Sequence, residues 1–346
     1  MQSATPLRWC VVLPPHGAAR LVGLQILSVM QQMKQIQSVT AFDCNTYLSA
    51  FDKMFKIPSD DMAVDLMGNA LVTSCFDKQI DAVLVLALSP VTLFVLNIFK
   101  KNSVKTVHWF YEDFAKAKYW NEVVGGYDLF CAIQHGPIET ECAAAGSQYL
   151  FLPTATNLGF KPPVTIPEYD VSFIGIPSAY RIAILESLAN AGVSLTIAGE
   201  GWSSYTGSLQ KYIRQGKWTS AEDSVLTICS ARIGINLSYS SPFENPEHAH
   251  ISPRVYDVCG CGRVLLTEDV PLLQDSCSGL TYEVFDSVEN AVAKTQQILK
   301  EYERFAEITL QNIATIFDNH TYTKRVEDIL RKLHEQLFQN TTSQNR

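Results

Sequence analysis

The sequence predicts an α/β protein built from two parallel-sheet domains of similar size, and three observations lead to that prediction. Short apolar runs typical of buried strands alternate with amphipathic helical patterns along the chain. The alternation stops once, at a proline-rich stretch near the middle, and then begins again. The length of 346 residues suits two domains of roughly 150 residues each. Continuous apolar strands separated by helices are typical of a parallel sheet with helices on both faces.

The first half contains five apolar runs that we interpret as strands. A helix is expected after the first run, because apolar residues recur at helical spacing from Val22 to Met33. Ala82–Phe99 carries no charge, but Ser89-Pro90 divides it into a strand and a helix, which argues against a membrane span. The predicted strands are 9–13, 82–86, 105–109, 128–133 and 149–152.

The proline-rich stretch separates the two halves. Four prolines fall within residues 153–167, and proline is excluded from helix interiors and inner strands. We therefore expect a first domain at 1–152, a linker at 153–169, a second domain at 170–318, a final helix at 319–340 and a frayed tail at 341–346. In the second half, the predicted strands are 171–175, 194–199, 233–237 and 263–267. Helices are predicted at 181–191 and 322–338, and further helices fill 288–317.

Composition narrows the class of protein. Hydrophobic residues make up 47% and charged residues 18%, so a core can form and global disorder is excluded. The net charge is -8 and the longest basic run is Lys100-Lys101, which argues against a nucleic-acid partner. Nine scattered cysteines without a C-x-x-C pair suit reduced thiols, and Pro14-Pro15 ends an N-terminal apolar run too short for a signal peptide. We therefore expect a cytoplasmic protein without a transmembrane segment, and peripheral membrane contact stays open.

Several common signatures are missing. The sequence has no G-x-G-x-x-G, no G-x-x-x-x-G-K-[ST], no H-E-x-x-H and no G-x-S-x-G. Two motifs with metal-ligand residue types, His248-Ala249-His250 and Cys259-x-Cys261, have i and i+2 spacing. In a helix such side chains do not share a face, so we expect no metal.

The segment from Ser252 to Gly262 is the most informative. Ser252 is a candidate N-cap, Pro253 suits the first helical position, and Arg254 lies just inside the helix. The free N–H groups of a helix N-terminus together with an arginine suit a diphosphate. Asp257 is placed to accept hydrogen bonds from ribose hydroxyls. The alternative is a capped helix with a surface Arg–Asp pair.

This segment resembles the R-x-F-E-x-x-x-x-G-x-x-L-L-T-D motif of CgeB-like, group-1-type glycosyltransferases. Further pieces resemble the same family in the same order, and together they cover roughly residues 150–335. These pieces are the DVSFIG run at 170–175 with Arg181, the LTIAGEGW run at 195–202, Asn236-Leu237, and the HTY run at 320–322 with Arg325.

The resemblance implies a GT-B fold, in which two Rossmann-like domains face a central cleft and the last helix crosses back to the first domain. It implies a hexosyltransferase-type enzyme that transfers a sugar from a nucleotide-diphosphate sugar to a hydroxyl of a glycan, protein or small molecule. Neither a metal nor another cofactor is implied. The donor-binding residues expected on this basis are Gly175, Arg181, Gly199, Gly201, Trp202, Asn236, Ser252, Arg254 and Asp257.

Two departures from the family pattern leave alternatives open. Related enzymes carry a Glu-x7-Glu pair, for which this chain has Ala249 and Asp257. A non-catalytic scaffold that binds a sugar nucleotide or a glycan is therefore one alternative, and a UDP-sugar epimerase on the same architecture is another. Trp202 is expected either to stack on the nucleobase or to pack in the core.

Three residues of the first half are candidates for catalysis on the acceptor side. His16 follows the first strand, and Glu112 and Asp113 follow the strand that ends at Trp109. A side chain in such a loop can act as a general base or bind the acceptor hydroxyl. The alternative for each is a solvated loop position.

Overall fold

The computed structural model describes the backbone of residues 6–55, 60–159, 161–162, 165–217, 219–244, 246 and 249–344. The chain forms two compact units. The first consists of Met1–Pro153 together with Tyr322–Arg346, and the second of Thr154–Thr321. Each unit is built around one parallel six-stranded sheet, which confirms the predicted class of fold.

The first unit has the strand order β2-β1-β3-β4-β5-β6. Its strands are β1 (Leu7–Leu13), β2 (Ile36–Asp43), β3 (Ala82–Leu86), β4 (Lys105–Phe110), β5 (Leu129–Ala132) and β6 (Gln148–Phe151). The helices between these strands are α1 (Gly17–Gln32), α2 (Cys44–Phe55), α3 (Asp60–Asp77), α4 (Leu93–Lys101), α5 (Trp120–Val123) and α6 (Pro137–Ala145). The uncharged stretch thus forms β3 and α4, and no helix in the described part of the chain has the length and apolarity needed to cross a membrane.

The second unit has the strand order β12-β11-β10-β7-β8-β9. Its strands are β7 (Tyr169–Ile174), β8 (Leu195–Ala198), β9 (Ile213–Gln215), β10 (Ala231–Asn236), β11 (Val264–Glu268) and β12 (Glu283–Phe285). Its helices are α7 (Ala179–Asn190), α8 (Ala221–Cys229), α9 (Pro253–Gly260), α10 (Leu273–Ser276), α11 (Val288–Lys300), α12 (Tyr302–Thr309) and α13 (Gln311–Asn319). The helices expected within 288–317 are thus α11, α12 and α13.

The final helix, α14 (Tyr322–Gln344), belongs to the first unit and packs against α1. Its apolar side chains Val326, Ile329 and Leu333 are almost fully buried. The first turns of the final helix thus bury one apolar face.

The start of the proline-rich stretch is buried rather than exposed. Thr154, Ala155 and Thr156 are at most 3% accessible, and the Thr156 amide donates to the carbonyl of His320 within the second unit. Ile166, in contrast, is 91% exposed. Only the later part of the expected linker therefore has the exposure typical of a connection.

Candidate functional site

Four parallel strands of the second sheet, β7, β8, β10 and β11, end at the same edge of that sheet. Gly175 and Gly199 follow the first two of these strands and have φ angles of 157° and 141°. A Cβ on Gly199 would collide with the Gly175 carbonyl, so glycine is required there for the two turns to approach. Ligands of parallel sheets bind beyond this edge.

Two arginines meet beside the Gly175 turn. A Cβ placed on Gly175 would lie 3.0 Å from Arg254 Nη2 and 3.3 Å from Arg181 Nη1. Both guanidinium carbons also lie over the Phe173 ring, at 5.2 Å from its centroid for Arg254 and 5.4 Å for Arg181. The structure therefore brings together Arg181 and Arg254, which are 73 positions apart in the sequence, and we call them the arginine pair.

Arg181 is held by backbone carbonyls. Its Nη2 donates to Leu237 O at 2.9 Å, its Nε to Ser238 O at 3.0 Å and its Nη1 to Ile176 O at 2.9 Å. Burial lowers the pKa of Arg181 from its usual value. Its position at the start of α7 keeps this buried cation fixed.

Arg254 is held through Asn236 and has donors left over. Its Nη1 donates to Asn236 Oδ1 at 2.8 Å, and no hydrogen bond from its Nε or Nη2 is recorded within the described part of the chain. Burial, and after it the nearby charge of Arg181, lower the pKa of Arg254 to about 9. Neither arginine forms an ion pair with a described carboxylate. The arginine pair is thus a concentrated positive charge suited to an anion.

Asn236 and Ser252 position Arg254. Asn236 Oδ1 also accepts from the Ser252 hydroxyl at 2.9 Å, and its Nδ2 donates to Thr267 Oγ1 at 3.0 Å. Ser252 has extended backbone at the start of α9, but its side chain makes no capping hydrogen bond. Ser252 is thus the N-cap residue of α9, as predicted, but its hydroxyl orients the Asn236 amide that holds Arg254 instead of capping the helix.

Asp257 has a different role from the expected contact with ribose. Its Oδ1 accepts from Thr156 Oγ1 at 2.8 Å and from the Asn157 amide at 2.7 Å, and its Oδ2 accepts from Asn157 Nδ2 at 3.0 Å. The residue is only 9% accessible. Both carboxylate oxygens are occupied within the protein, so the structure argues for an anchor rather than a ribose ligand.

Trp202 lies in the core and not on a binding surface. It is 1% accessible, and its Nε1 donates to Gly175 O at 2.7 Å. Stacking on a nucleobase is therefore excluded for this conformation, whereas packing beneath the Gly175 turn is observed. Gly201, with φ of 90°, begins the short 3-10 helix Trp202–Ser204 and turns the chain so that the indole points inward.

Glu268 is a buried carboxylate at the sheet edge that is absent from the site residues predicted from the sequence. It ends β11, is 2% accessible, and accepts from the Ser238 amide at 2.6 Å and the Ser238 hydroxyl at 2.9 Å. Burial raises its pKa to about 7. Glu268 is the last residue of an apolar parallel strand. Because such strands end at the ligand-binding edge of the sheet, the sequence pattern indicates a candidate site residue at this position.

The acceptor-side candidates lie at the carboxyl edge of the first sheet. His16 is exposed just before α1 and makes no capping bond. Glu112 is half-buried, and burial followed by the charge of Asp113 raises its pKa. Asp113 Oδ1 accepts from the Ala115 amide at 2.9 Å, and its Oδ2 lies 3.6 Å from Lys116 Nζ. Asp113 therefore stabilises its own turn, and Glu112 is the better candidate for chemistry.

A second buried titratable group lies beneath this edge. His108 on β4 is fully buried, and its Nδ1 lies 2.9 Å from Val85 O. Burial lowers the pKa of His108 to about 3. Its ring lies among aromatic rings, which are Phe110, Tyr119, Tyr127 and Phe130. This histidine belongs to the core and not to an exposed site.

The two motifs with metal-ligand residue types do not come together as a ligand cluster among the described residues. Cys259 is buried in α9 with its sulfur 3.6 Å from Asn312 Nδ2. His248 lies outside the described residues. Within the described ranges no three His, Cys, Asp or Glu side chains come together as metal ligands.

Comparison with known proteins gives a family match for part of the chain and a fold for nearly all of it. Residues 181–331 match a family model described as glycosyl transferase-like, whereas no curated protein sequence matches the chain. HepE of Anabaena, crystallised with UDP and glucose, is similar over 95% of this chain and 100% of its own, at 10% identity and a TM-score of 0.63. A glycosyltransferase from Rickettsia africae is similar over 96% and 99%, at 11% identity and a TM-score of 0.64.

A third solved structure has a different stated activity. A putative UDP-N-acetylglucosamine 2-epimerase from Listeria monocytogenes is similar over 97% of this chain and 98% of its own, at 9% identity and a TM-score of 0.60. At such identities the likeness establishes the fold, which is GT-B. The family match covers most of the second unit, including both members of the arginine pair. The chain thus has a GT-B fold, and residues 181–331 of its second unit match a glycosyl transferase-like family.

Proposed function

We propose that this protein transfers a sugar, of hexose type, from a nucleotide-diphosphate sugar to an acceptor hydroxyl. The observation that carries the proposal is the arginine pair at the carboxyl edge of the second sheet, beside the Gly175 turn. When the acceptor hydroxyl attacks the anomeric carbon, the bond to the diphosphate breaks and negative charge develops on the departing group. Two fixed guanidiniums stabilise that charge without rearranging.

Uridine is the nucleoside that we propose for the donor. The support comes from the structural neighbours, since HepE was crystallised with UDP and the Listeria protein is a putative UDP-N-acetylglucosamine 2-epimerase. We propose that no metal is needed, because the arginine pair supplies the positive charge that the diphosphate requires. The motifs at 170–175, 195–202 and 254–269 support assignment to the CgeB-like subgroup.

On the acceptor side we propose Glu112 as general base, with His16 as a further contact for the acceptor. A carboxylate with a raised pKa is a stronger base than a solvated one, and Glu112 accepts no recorded hydrogen bond within the described residues. A glycan, protein or small molecule carrying a hydroxyl fits this role equally. We further propose a cytoplasmic location, supported by nine cysteines that all remain free thiols.

The epimerase and the non-catalytic scaffold are the competing functions. The Listeria neighbour favours the first, and the engagement of Asp257 within the protein favours the second. An epimerase converts a UDP-sugar into its isomer with no acceptor present. A scaffold binds the nucleotide sugar without releasing nucleotide.

The test is a titration of UDP-glucose and UDP-N-acetylglucosamine, with their ADP and GDP counterparts, followed by measurement of nucleotide release with and without hydroxyl acceptors. We expect binding of at least one UDP-sugar and nucleotide release that stops in Arg254→Ala. Glu112→Gln should slow release while leaving binding intact, whereas Glu122→Gln, an exposed carboxylate of α5, should change neither. Absence of binding by every nucleotide sugar, with a folded protein, would overturn the proposal.

A further inference from the structure

The Glu268 carboxylate is tied to the same short segment that holds the arginine pair. Ser238 receives Arg181 Nε on its carbonyl at 3.0 Å, while its amide and hydroxyl donate to Glu268. Leu237 O accepts from Arg181 Nη2, and the preceding residue, Asn236, accepts from Arg254. Residues 236–238 therefore accept hydrogen bonds from both arginines and donate hydrogen bonds to one carboxylate.

The groups facing Glu268 come from several packed elements. Helix α7 provides Tyr180 and Arg181, and α9 provides Arg254; Tyr180, Arg254 and Arg181 interact electrostatically with the carboxyl. On the neighbouring β12, Phe285 is the register partner of Glu268. Other charged groups interact with these neighbours of Glu268. Asp257 interacts electrostatically with Arg254, and Tyr239 does so with Arg181. Glu283 forms an ion pair with Lys294.

These contacts make Glu268 the carboxylate that offsets the arginine pair when no ligand is bound. A diphosphate ester brings two negative charges to the same cations. The buried carboxylate would then be a third negative charge in a region of low dielectric constant, which is costly unless it is neutralised. Protonation of the carboxyl removes that cost, and a protonated carboxyl can still accept from the Ser238 amide.

We propose that Glu268 is the resident counter-anion of the arginine pair, and that a nucleotide-sugar diphosphate binds together with one proton taken from solvent onto the Glu268 carboxyl. This rests on the proposed function, because it requires the diphosphate to occupy the arginine pair. Glu268 is thereby a positioning residue that sets the charge of the site, and it does not touch the reacting atoms.

The direction of the pH dependence follows from linkage. Burial already raises the pKa of Glu268 to about 7, and a bound diphosphate raises it further. Between these two pKa values the free protein is ionised and the complex is protonated, so affinity falls by up to about tenfold per pH unit as the pH rises. Terminal phosphates titrate near pH 6 and would confuse this measurement, but the diphosphate of a nucleotide sugar is a diester and lacks that group.

The experiment titrates the full-length protein with UDP-glucose by calorimetry at about pH 7 and about pH 8.5, each in two buffers of different ionisation enthalpy. The buffer dependence of the heat gives the number of protons taken up. We expect uptake approaching one proton at the higher pH, and roughly three- to tenfold weaker binding there than at the lower pH. Glu268→Gln keeps the acceptor for the Ser238 amide, and should lose the uptake and bind more tightly than wild type at the higher pH.

Asp269→Asn is the matched control, because it removes one carboxylate from the adjacent, exposed position. It should keep the wild-type proton uptake. Binding of UDP-glucose by wild type without proton uptake at either pH overturns the Glu268 proposal and leaves the proposed function standing. Arg254, with a pKa of about 9, can itself take up a fraction of a proton at the higher pH when the diphosphate binds. Uptake that persists undiminished in a folded Glu268→Gln variant therefore overturns the proposal too, and places the proton elsewhere, with Asp257 the next carboxyl to examine. If neither UDP-glucose nor the other nucleotide sugars bind, the proposed function fails and this inference with it.

Discussion

The two sheets are both parallel and six-stranded, yet the polar groups at their carboxyl edges are organised differently. In the second unit, Arg181 and Arg254 both donate to residues 236–238 at the end of β10, so one short segment holds the two cations in place. In the first unit, His16 is exposed and Glu112 has no recorded hydrogen bond within the described residues. A parallel sheet therefore determines where a site can lie. Hydrogen bonds from side chains to the strand ends determine whether the charges there are fixed before a ligand binds.

The largest expected effect is on the arginine pair. Arg254→Ala removes a charge-assisted hydrogen-bond donor worth about 1.5–3 kcal/mol, so UDP should bind roughly ten- to a hundredfold more weakly. Uridine, which lacks phosphates, should bind as it does to wild type. Calorimetric titration measures both. Arg304→Ala, an exposed arginine of α12, is the control, and equal UDP affinity for wild type and a folded Arg254→Ala would remove the contrast between the two sheet edges.

Asp257→Asn should act on stability rather than on the ligand. The substitution places an NH₂ group against donors at Thr156 or Asn157, which costs about 1–3 kcal/mol of unfolding free energy. Urea unfolding measures this cost, with the exposed Asp318→Asn as control. A loss of uridine affinity without a loss of stability would restore the ribose role and contradict the anchor.

His108 should make the first unit sensitive to acid. Its pKa is about 3 in the fold against about 6.5 in an unfolded chain, so the unfolded state binds a proton first as the pH falls. The stability contributed by neutral His108 is present above pH 6.5 and is lost at up to about 1.4 kcal/mol per pH unit below it. Thermal unfolding of His108→Phe between about pH 7 and pH 4 should show a shallower decline than wild type. Parallel declines for the two proteins would show that other groups control the acid sensitivity.

The smallest expected effect concerns Ser252. Ser252→Ala removes one of two donors to Asn236 Oδ1 and leaves the Arg254 bond in place. Because the Ser252 side chain does not cap α9, we expect about 0.5–1 kcal/mol of lost stability and UDP affinity within about twofold of wild type. A melt and a UDP titration test this, and a tenfold loss of affinity would show that the hydroxyl contacts the ligand itself.

The central strands could be predicted from the sequence, whereas of the four edge strands only β6 was predicted, at 149–152. β3 and β11 are continuous apolar runs because both of their faces are covered. β2 is an edge strand with an exposed, polar middle, and β9 and β12 have three residues each, so none gives a continuous apolar signal. Helices were predicted to fill 288–317, but the boundaries near Glu301 and Leu310 carry neither proline nor glycine, so the sequence does not mark where one helix ends and the next begins.

The sequence predicted which residues lie at the strand ends better than it predicted which groups those residues bind. Arg181, Arg254, Gly175 and Gly199 do meet at the sheet edge, because strand ends fix where such residues lie. The orientation of Asp257 depends on Thr156, which is 101 positions away, and local spacing holds no information about that pairing. Trp202 turns inward because of a positive φ at Gly201, and a glycine in the sequence does not reveal the sign of that angle.

The anchor at Asp257 has a practical consequence for dividing this protein into pieces. A fragment that begins at Thr154 keeps Thr156 and Asn157, which together satisfy a buried carboxylate. A fragment that begins after the prolines, near Pro167, would leave that carboxylate buried without these partners, one helical turn from Arg254. The two fragments differ by about a dozen residues, and the described ones among them form no strand or helix. Even so, only the longer fragment should purify as a stable protein that can be tested for nucleotide binding.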